Sequence, residues 1–145
     1  MEALKWYRKS AAQGDAGAQY NLGAYYDAGI AVERDPAEAA RWFRKSAEQG
    51  RVEAQFTLGL CYATGKGVAK DLAEAAKWFR TPAEQGDAVA QYNLGLIHAG
   101  GEGVAKDPAE AARWLRKAAE QGEEVALFIL GICYADGKGV AKDRP

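Results

Sequence analysis

Tryptophan stands at Trp6, Trp42, Trp78 and Trp114, each 36 residues after the last. So large a side chain at so regular an interval implies that one structural unit is being repeated. Other columns share the register. Glycine recurs at Gly14, Gly50, Gly86 and Gly122, at Gly23, Gly59, Gly95 and Gly131, and at Gly29, Gly65, Gly101 and Gly137. Leu22, Leu58, Leu94 and Leu130 form another column, as do Ala18, Ala54, Ala90 and Ala126, and Val32, Val68, Val104 and Val140. A fixed period of this length means stacked repeats, each of which buries its apolar face only against a neighbour.

Each period reads as two helices. The first, helix A, covers roughly residues 53–63 in the second period, where Ala54, Leu58, Cys61 and Tyr62 fall at helical spacing. Gly59 sits inside it, where glycine costs about 1 kcal/mol relative to alanine. The same cost in every unit points to a crossing helix too close for a Cβ. The turn Gly65-Lys66-Gly67-Val68 follows, with glycines free to take positive φ. Helix B starts at Asp35-Pro36-Ala37-Glu38, where Asp is the N-cap, Pro the first helical residue and Glu stands three after the cap. Asp107-Pro108-Ala109-Glu110 repeats the signal, and Asp71-Leu72-Ala73-Glu74 repeats it without proline. Helix B stops at Gly50, the usual left-handed residue beyond a helix end. Pro82 lies inside the third B helix and is expected to bend it locally without marking a domain boundary.

These residues resemble the Sel1-like repeat family. Its pattern A-x-x-x-L-G-x-x-Y, G-x-G-V-x-x-D and A-x-x-W-[FY]-x-K-A-A-x-x-G stands here as Ala54…Leu58-Gly59…Tyr62, Gly65-Lys66-Gly67-Val68…Asp71 and Ala75-Ala76-Lys77-Trp78-Phe79…Gly86. Ala31, His98, Leu115 and Pro82 depart from it. The resemblance implies an all-α fold, a right-handed α/α superhelical solenoid of 36-residue helix-turn-helix repeats related to the tetratricopeptide fold. It also implies use as a protein–protein adaptor without catalysis. The frame is a single repeat domain over 1–145: a half repeat 1–14, full repeats 15–50, 51–86 and 87–122, and a half repeat 123–145.

Catalytic signatures are thin. The one histidine, His98, shares a column with Tyr26, Tyr62 and Tyr134 and reads as an aromatic replacement. It has no Cys or second His at ligand spacing, so no metal and no cofactor is expected. The Gly-Lys-Gly turns lack the spacing and the preceding strand of a phosphate loop. Cys61 and Cys133 lie two periods apart, too far for a bridge across stacked helices, and read as small buried residues of a reduced, cytoplasmic protein. The opening Met1-Glu2-Ala3-Leu4-Lys5 shows no apolar signal core. No apolar run nears the roughly 18 residues of a membrane span. Lys and Arg number 19 against 20 Asp and Glu, so no basic excess points to nucleic acid. Arg8, Arg44, Arg80 and Arg116 do form a stripe, as do Lys5, Arg41, Lys77 and Arg113. Glu2, Glu38, Glu74 and Glu110, three residues before the second stripe, are placed to neutralise it.

Binding is the more economical function. In related helical-pair solenoids the A helices line a concave groove. The corresponding columns here supply the candidate partner-binding residues Tyr20, Asn21, Ala24, Glu53, Phe56, Thr57, Tyr92 and Asn93. The amides of Asn21 and Asn93 suit an extended peptide backbone, and Tyr20 and Tyr92 suit an interface. Phe56, Leu60 and Leu96 fit inter-repeat core equally well. The last A segment is more apolar than the others, with Leu127 in the glutamine column and Ile129 in the Asn/Thr column. Val125, Leu127, Phe128, Ile129 and Ile132 are therefore candidates for self-association. The frame runs from an unpaired B helix to an unpaired A helix, so the expected partners are a protein or peptide and, by head-to-tail stacking, a second copy. A fragment of a longer array, or an engineered scaffold, would show the same ends.

Overall fold

The computed structural model describes residues 2–122. They form seven helices: α1 (Glu2–Ala12), α2 (Ala16–Ala28), α3 (Pro36–Glu48), α4 (Val52–Thr64), α5 (Leu72–Glu84), α6 (Ala88–Gly100) and α7 (Pro108–Glu120). There is no strand among the described residues. Helices α1, α3, α5 and α7 are of B type, and α2, α4 and α6 of A type. The eighth helical segment expected from the sequence lies outside the described residues. The chain divides into two compact units, residues 1–78 and 79–145, within α5.

The helix ends are made as their residues dictate. Asp35 Oδ1 accepts from the Glu38 N–H at 3.1 Å, Asp71 Oδ1 from Glu74 at 3.1 Å and Asp107 Oδ1 from Glu110 at 3.0 Å. Each satisfies one of the free N–H groups of a first turn. The capping glutamate does not return the bond. The amide of the cap residue is already taken, Asp35 donating to the Tyr26 carbonyl and Asp71 to that of Tyr62, both at 2.9 Å. The carboxylate turns to tryptophan instead. Glu38 accepts from the Trp42 indole at 3.1 Å, Glu74 from Trp78 at 3.1 Å and Glu110 from Trp114 at 2.8 Å. Helix α2 ends on Gly29 (φ 72°) and α4 on Gly65 (φ 77°), and Gly67 follows at φ 78°. Helix α5 is assigned without a break through Pro82.

In the first unit, Leu4, Ala11, Ala18 and Leu22 form the core between α1 and α2. Ala39, Phe43, Ala47, Ala54, Leu58 and Cys61 form the next core, between α3 and α4. Two tryptophans reach cores formed by other helices of this unit. Trp42 of α3 packs against the α1–α2 core, and Trp78 packs against the α3–α4 core. The expected close crossing is present at Gly23. A Cβ there would stand 2.8 Å from the Phe43 ring and 3.2 Å from the Ala39 carbonyl.

In the second unit α6 crosses α7 in the same way. A Cβ at Gly95 would meet the Leu115 side chain at 2.7 Å and the Ala111 carbonyl at 3.2 Å. Leu94, Ile97, Trp114 and Leu115 are buried, Trp114 at only 2% exposure.

Candidate functional site

The groove candidates lie on the A helices, in columns flanking the buried ones. In the first unit Tyr20, Asn21 and Ala24 of α2 and Phe56 and Thr57 of α4 are half-buried, and Glu53 is exposed. Leu22 and Leu58 in the neighbouring columns are fully buried. In the second unit Tyr92 and Asn93 of α6 are likewise half-buried beside buried Leu94. Leu60 and Leu96 are half-buried as well, so neither is a closed core position.

The polar candidates are partly spent on their own helices. Asn93 Nδ2 donates to the Val89 carbonyl at 2.8 Å, and Thr57 Oγ1 donates to the Glu53 carbonyl at 2.9 Å. An amide has two donors and an acceptor, so Asn93 keeps bonding capacity for a partner. Tyr20 divides its ring between core and surface. One side meets Phe43, with centroids 5.6 Å apart at 47°, and the Arg51 guanidinium stands over the ring at 5.5 Å. Asn21 shares a cleft of about 330 Å³ with Trp6, Tyr7, Ser10, Asp15, Gly17 and Ala18. Val125, Leu127, Phe128, Ile129 and Ile132 lie outside the described residues.

Arg51 is the residue missed by sequence reasoning. Its column reads Asp15, Arg51, Asp87 and Glu123, a run of acids with one basic exception. Asp15 Oδ2 caps α2 by accepting from Ala18 at 2.8 Å, and Asp87 Oδ1 caps α6 by accepting from Ala90 at 2.9 Å. Helix α4 begins at Arg51 with no side-chain cap. The guanidinium pairs instead with Glu53, another break in its column, at 3.2 Å.

Also unanticipated is a set of glutamines that fastens one hairpin to the next. Gln49 Nε2 donates to the Gly14 carbonyl at 2.7 Å and to Gln19 Oε1 at 2.8 Å. Ser46 Oγ adds a bond to the Ala16 carbonyl at 2.7 Å. In the second unit Gln121 Nε2 repeats the arrangement on Gly86 (2.8 Å) and Gln91 Oε1 (2.9 Å). The three-in-four glutamine column Gln19, Gln55, Gln91, Leu127 carried the signal.

The basic stripe is largely engaged. Arg41 Nε donates to Glu38 at 3.0 Å, and Arg113 Nη2 pairs with Glu110 at 2.6 Å. That hydrogen bond from Arg113 holds the Glu110 carboxyl below the ordinary carboxylate range. Partial burial opposes the shift, and the Trp114 indole N–H adds to it. Arg44 donates to the Tyr62 hydroxyl and stands over the Tyr62 and Trp78 rings at 5.5 and 6.0 Å.

Little here is disposed for covalent chemistry. Burial pushes the Cys61 thiol upward, away from the reactive thiolate. Both ring nitrogens of His98 are buried without a hydrogen-bond partner. No group of three or more His, Cys, Asp or Glu side chains is placed to hold a metal ion among the described residues. None of the described helices is long and apolar enough to cross a membrane.

Comparison with known proteins agrees with this architecture. The Sel1 repeat model matches residues 1–15, 16–50, 52–87, 88–123 and 125–145. The protective antigen c5321 of uropathogenic Escherichia coli, which displays an SLR fold, is similar over 97% of this chain and 30% of its own, with 40% identity and a TM-score of 0.87. A Sel1 repeat protein from Oxalobacter formigenes is similar over 98% of this chain and 61% of its own, with 40% identity and a TM-score of 0.81. Helicobacter pylori cysteine rich protein B is similar over 89% of this chain and 92% of its own, with 25% identity and a TM-score of 0.61. This chain thus spans less than two thirds of the first two structures. No curated protein matches it. With five matched repeats covering nearly every residue, the chain belongs to the Sel1 repeat family, and its fold is that family's α/α solenoid.

Proposed function

We propose that the chain is a non-catalytic interaction module that takes a peptide or protein partner on its A-helix face. Sel1 repeats commonly serve as protein–protein interaction modules. The observation that carries the reading is where the repeats differ from one another. Core columns such as Ala18/Ala54/Ala90 and Leu22/Leu58/Leu94 are uniform and buried. Gly17/Glu53/Val89, Tyr20/Phe56/Tyr92, Asn21/Thr57/Asn93 and Ala24/Leu60/Leu96 vary, and all are half-buried or exposed. Packing demands uniformity, so variation on one helix face is free to serve recognition. Arg51 sharpens the point. It forgoes a cap worth about 1 kcal/mol to set a guanidinium on Tyr20 at the edge of that face. Tyr20, Asn21, Ala24, Glu53, Phe56 and Thr57 form the contact surface of the first unit, and Tyr92 and Asn93 that of the second.

The test is selection of binding peptides from a displayed random library, followed by calorimetric titration of the strongest. Asn21→Ala/Asn93→Ala, and separately Arg51→Asp/Glu53→Val, are expected to weaken binding at least tenfold while the helical circular dichroism is kept. Binding unchanged in both folded variants would refute the assignment.

A further inference from the structure

The first unit uses two members of one arginine column in different ways. Arg44 of α3 donates to the Tyr62 hydroxyl of α4 and stands over the Trp78 ring of α5. Arg8 of α1 has the corresponding residues ahead of it, Tyr26 of α2 and Trp42 of α3. Yet among the described residues neither Arg8 nor the Tyr26 hydroxyl has a hydrogen-bond or ion-pair partner. The two line a cleft of about 470 Å³ together with Val32, Glu33, Arg34 and Asp35. The contact that is closed at α3 stands open at α1, although every residue needed to close it is present.

The wall of this cleft is also where the first A-to-B connection departs from the other two. Glu33 stands where they have Ala69 and Ala105, and Arg34 where they have Lys70 and Lys106. Arg34 is fixed through Nε, which donates to the Asp27 carbonyl at 2.9 Å, and its two terminal nitrogens remain for another acceptor. Asp35 is committed as the α3 cap, accepting from the Glu38 N–H at 3.1 Å. The uncommitted groups are thus two guanidinium heads and a phenol that can donate, against the single carboxylate of Glu33. The flanking helices add to this bias, because α1 and α3 together carry six Lys and Arg and three Glu. Lys5, Lys9 and Lys45 are exposed on them. Guanidinium forks match the geometry of carboxylates. Several cations spread along two helices favour several acids on one chain over an isolated ion.

We propose that this cleft receives an acidic segment of a protein partner, with one carboxylate side chain held between Arg8 and Arg34 and accepting from the Tyr26 hydroxyl. Glu33 opposes the same anion and limits its affinity. The surface is independent of the A-helix peptide site, which uses other residues.

Titration of the whole chain with a blocked hexaglutamate peptide, followed through the arginine Nε–H signals by NMR, tests the proposal. The Arg8 and Arg34 signals should shift and saturate with a Kd of roughly 0.1–1 mM that weakens as salt is added. Arg8→Gln should weaken binding about fivefold, and Glu33→Ala, the residue of the other two connections, should tighten it by about the same factor. Neither should alter the thermal melt, because both side chains are exposed. Blocked hexalysine and inorganic phosphate are the comparison ligands. Overturning outcomes are Arg8 and Arg34 signals that do not move, affinity that Glu33→Ala leaves unchanged, hexalysine binding as tightly, or a cleft that takes phosphate but not hexaglutamate.

Discussion

Gly23 and Gly67 are held by different constraints, and substitution separates them. At Gly23 the backbone is helical and the obstacle is the Phe43 ring at 2.8 Å, with the Ala39 carbonyl behind it. Gly67 combines φ 78° with a Cβ site only 2.2 Å from the Pro36 carbonyl, backbone that cannot swing aside. Gly14, at φ 96°, has open space around it and only the conformational penalty. Alanine is therefore expected to destabilise in the order Gly67 > Gly23 > Gly14. The expected losses are at least about 2, about 1–3 and about 1 kcal/mol, measured by urea unfolding. Equal losses at the three positions would contradict this geometry. Glu110 makes a second prediction at this scale. Its folded carboxyl titrates below the unfolded value of about 4.3, so the unfolded chain takes up the proton first as pH falls. Its contribution is complete above that value and is lost as pH drops through the lowered folded one. Glu110→Gln should reduce stability at pH 7 and flatten the acid limb of the stability profile. A variant whose acid limb matches the wild type would rule out the role.

The A helices share one design and differ in how they start. Helices α2 and α6 have aspartate caps, and α4 has Arg51. Converting the start of α4 to that of α6 by Arg51→Asp/Glu53→Val should raise stability by about 1 kcal/mol, since the exposed ion pair that is lost contributes little. The same variant is expected to lose partner binding, which makes it a direct probe of stability exchanged for function. A melt at or below that of the wild type would show that Arg51 stabilises α4 by other contacts. The B helices show how one residue type serves two ends. Glutamate three residues after the cap was readable as a capping signal, yet its carboxylate holds the indole of the next turn. The cap amide was already bonded to the preceding A helix, which freed the carboxylate for that use.

At the level of the whole molecule, stability comes from hairpins and from the joints between neighbours. In the first unit the polar part of a joint is small and specific, with Ser46 and Gln49 reaching Ala16, Gly14 and Gln19. Ser46→Ala/Gln49→Ala removes these bonds and leaves buried Gln19 short of a donor. We expect a loss of about 2–4 kcal/mol and a shallower urea transition, because coupling between hairpins is what makes unfolding cooperative. An unchanged slope would show that apolar packing alone couples them. Periodicity by itself determined the all-α fold, the alternation of A and B helices, the aspartate caps and the glycine crossings. Each of these depends on local backbone chemistry or on spacing within one repeat. The uses of Glu38, Gln49, Ser46 and Arg51 were decided only by the tertiary structure. Their partners lie on the next turn, in the neighbouring hairpin, or in a column broken once, and a long polar side chain chooses among several acceptors by distance, which sequence spacing does not encode.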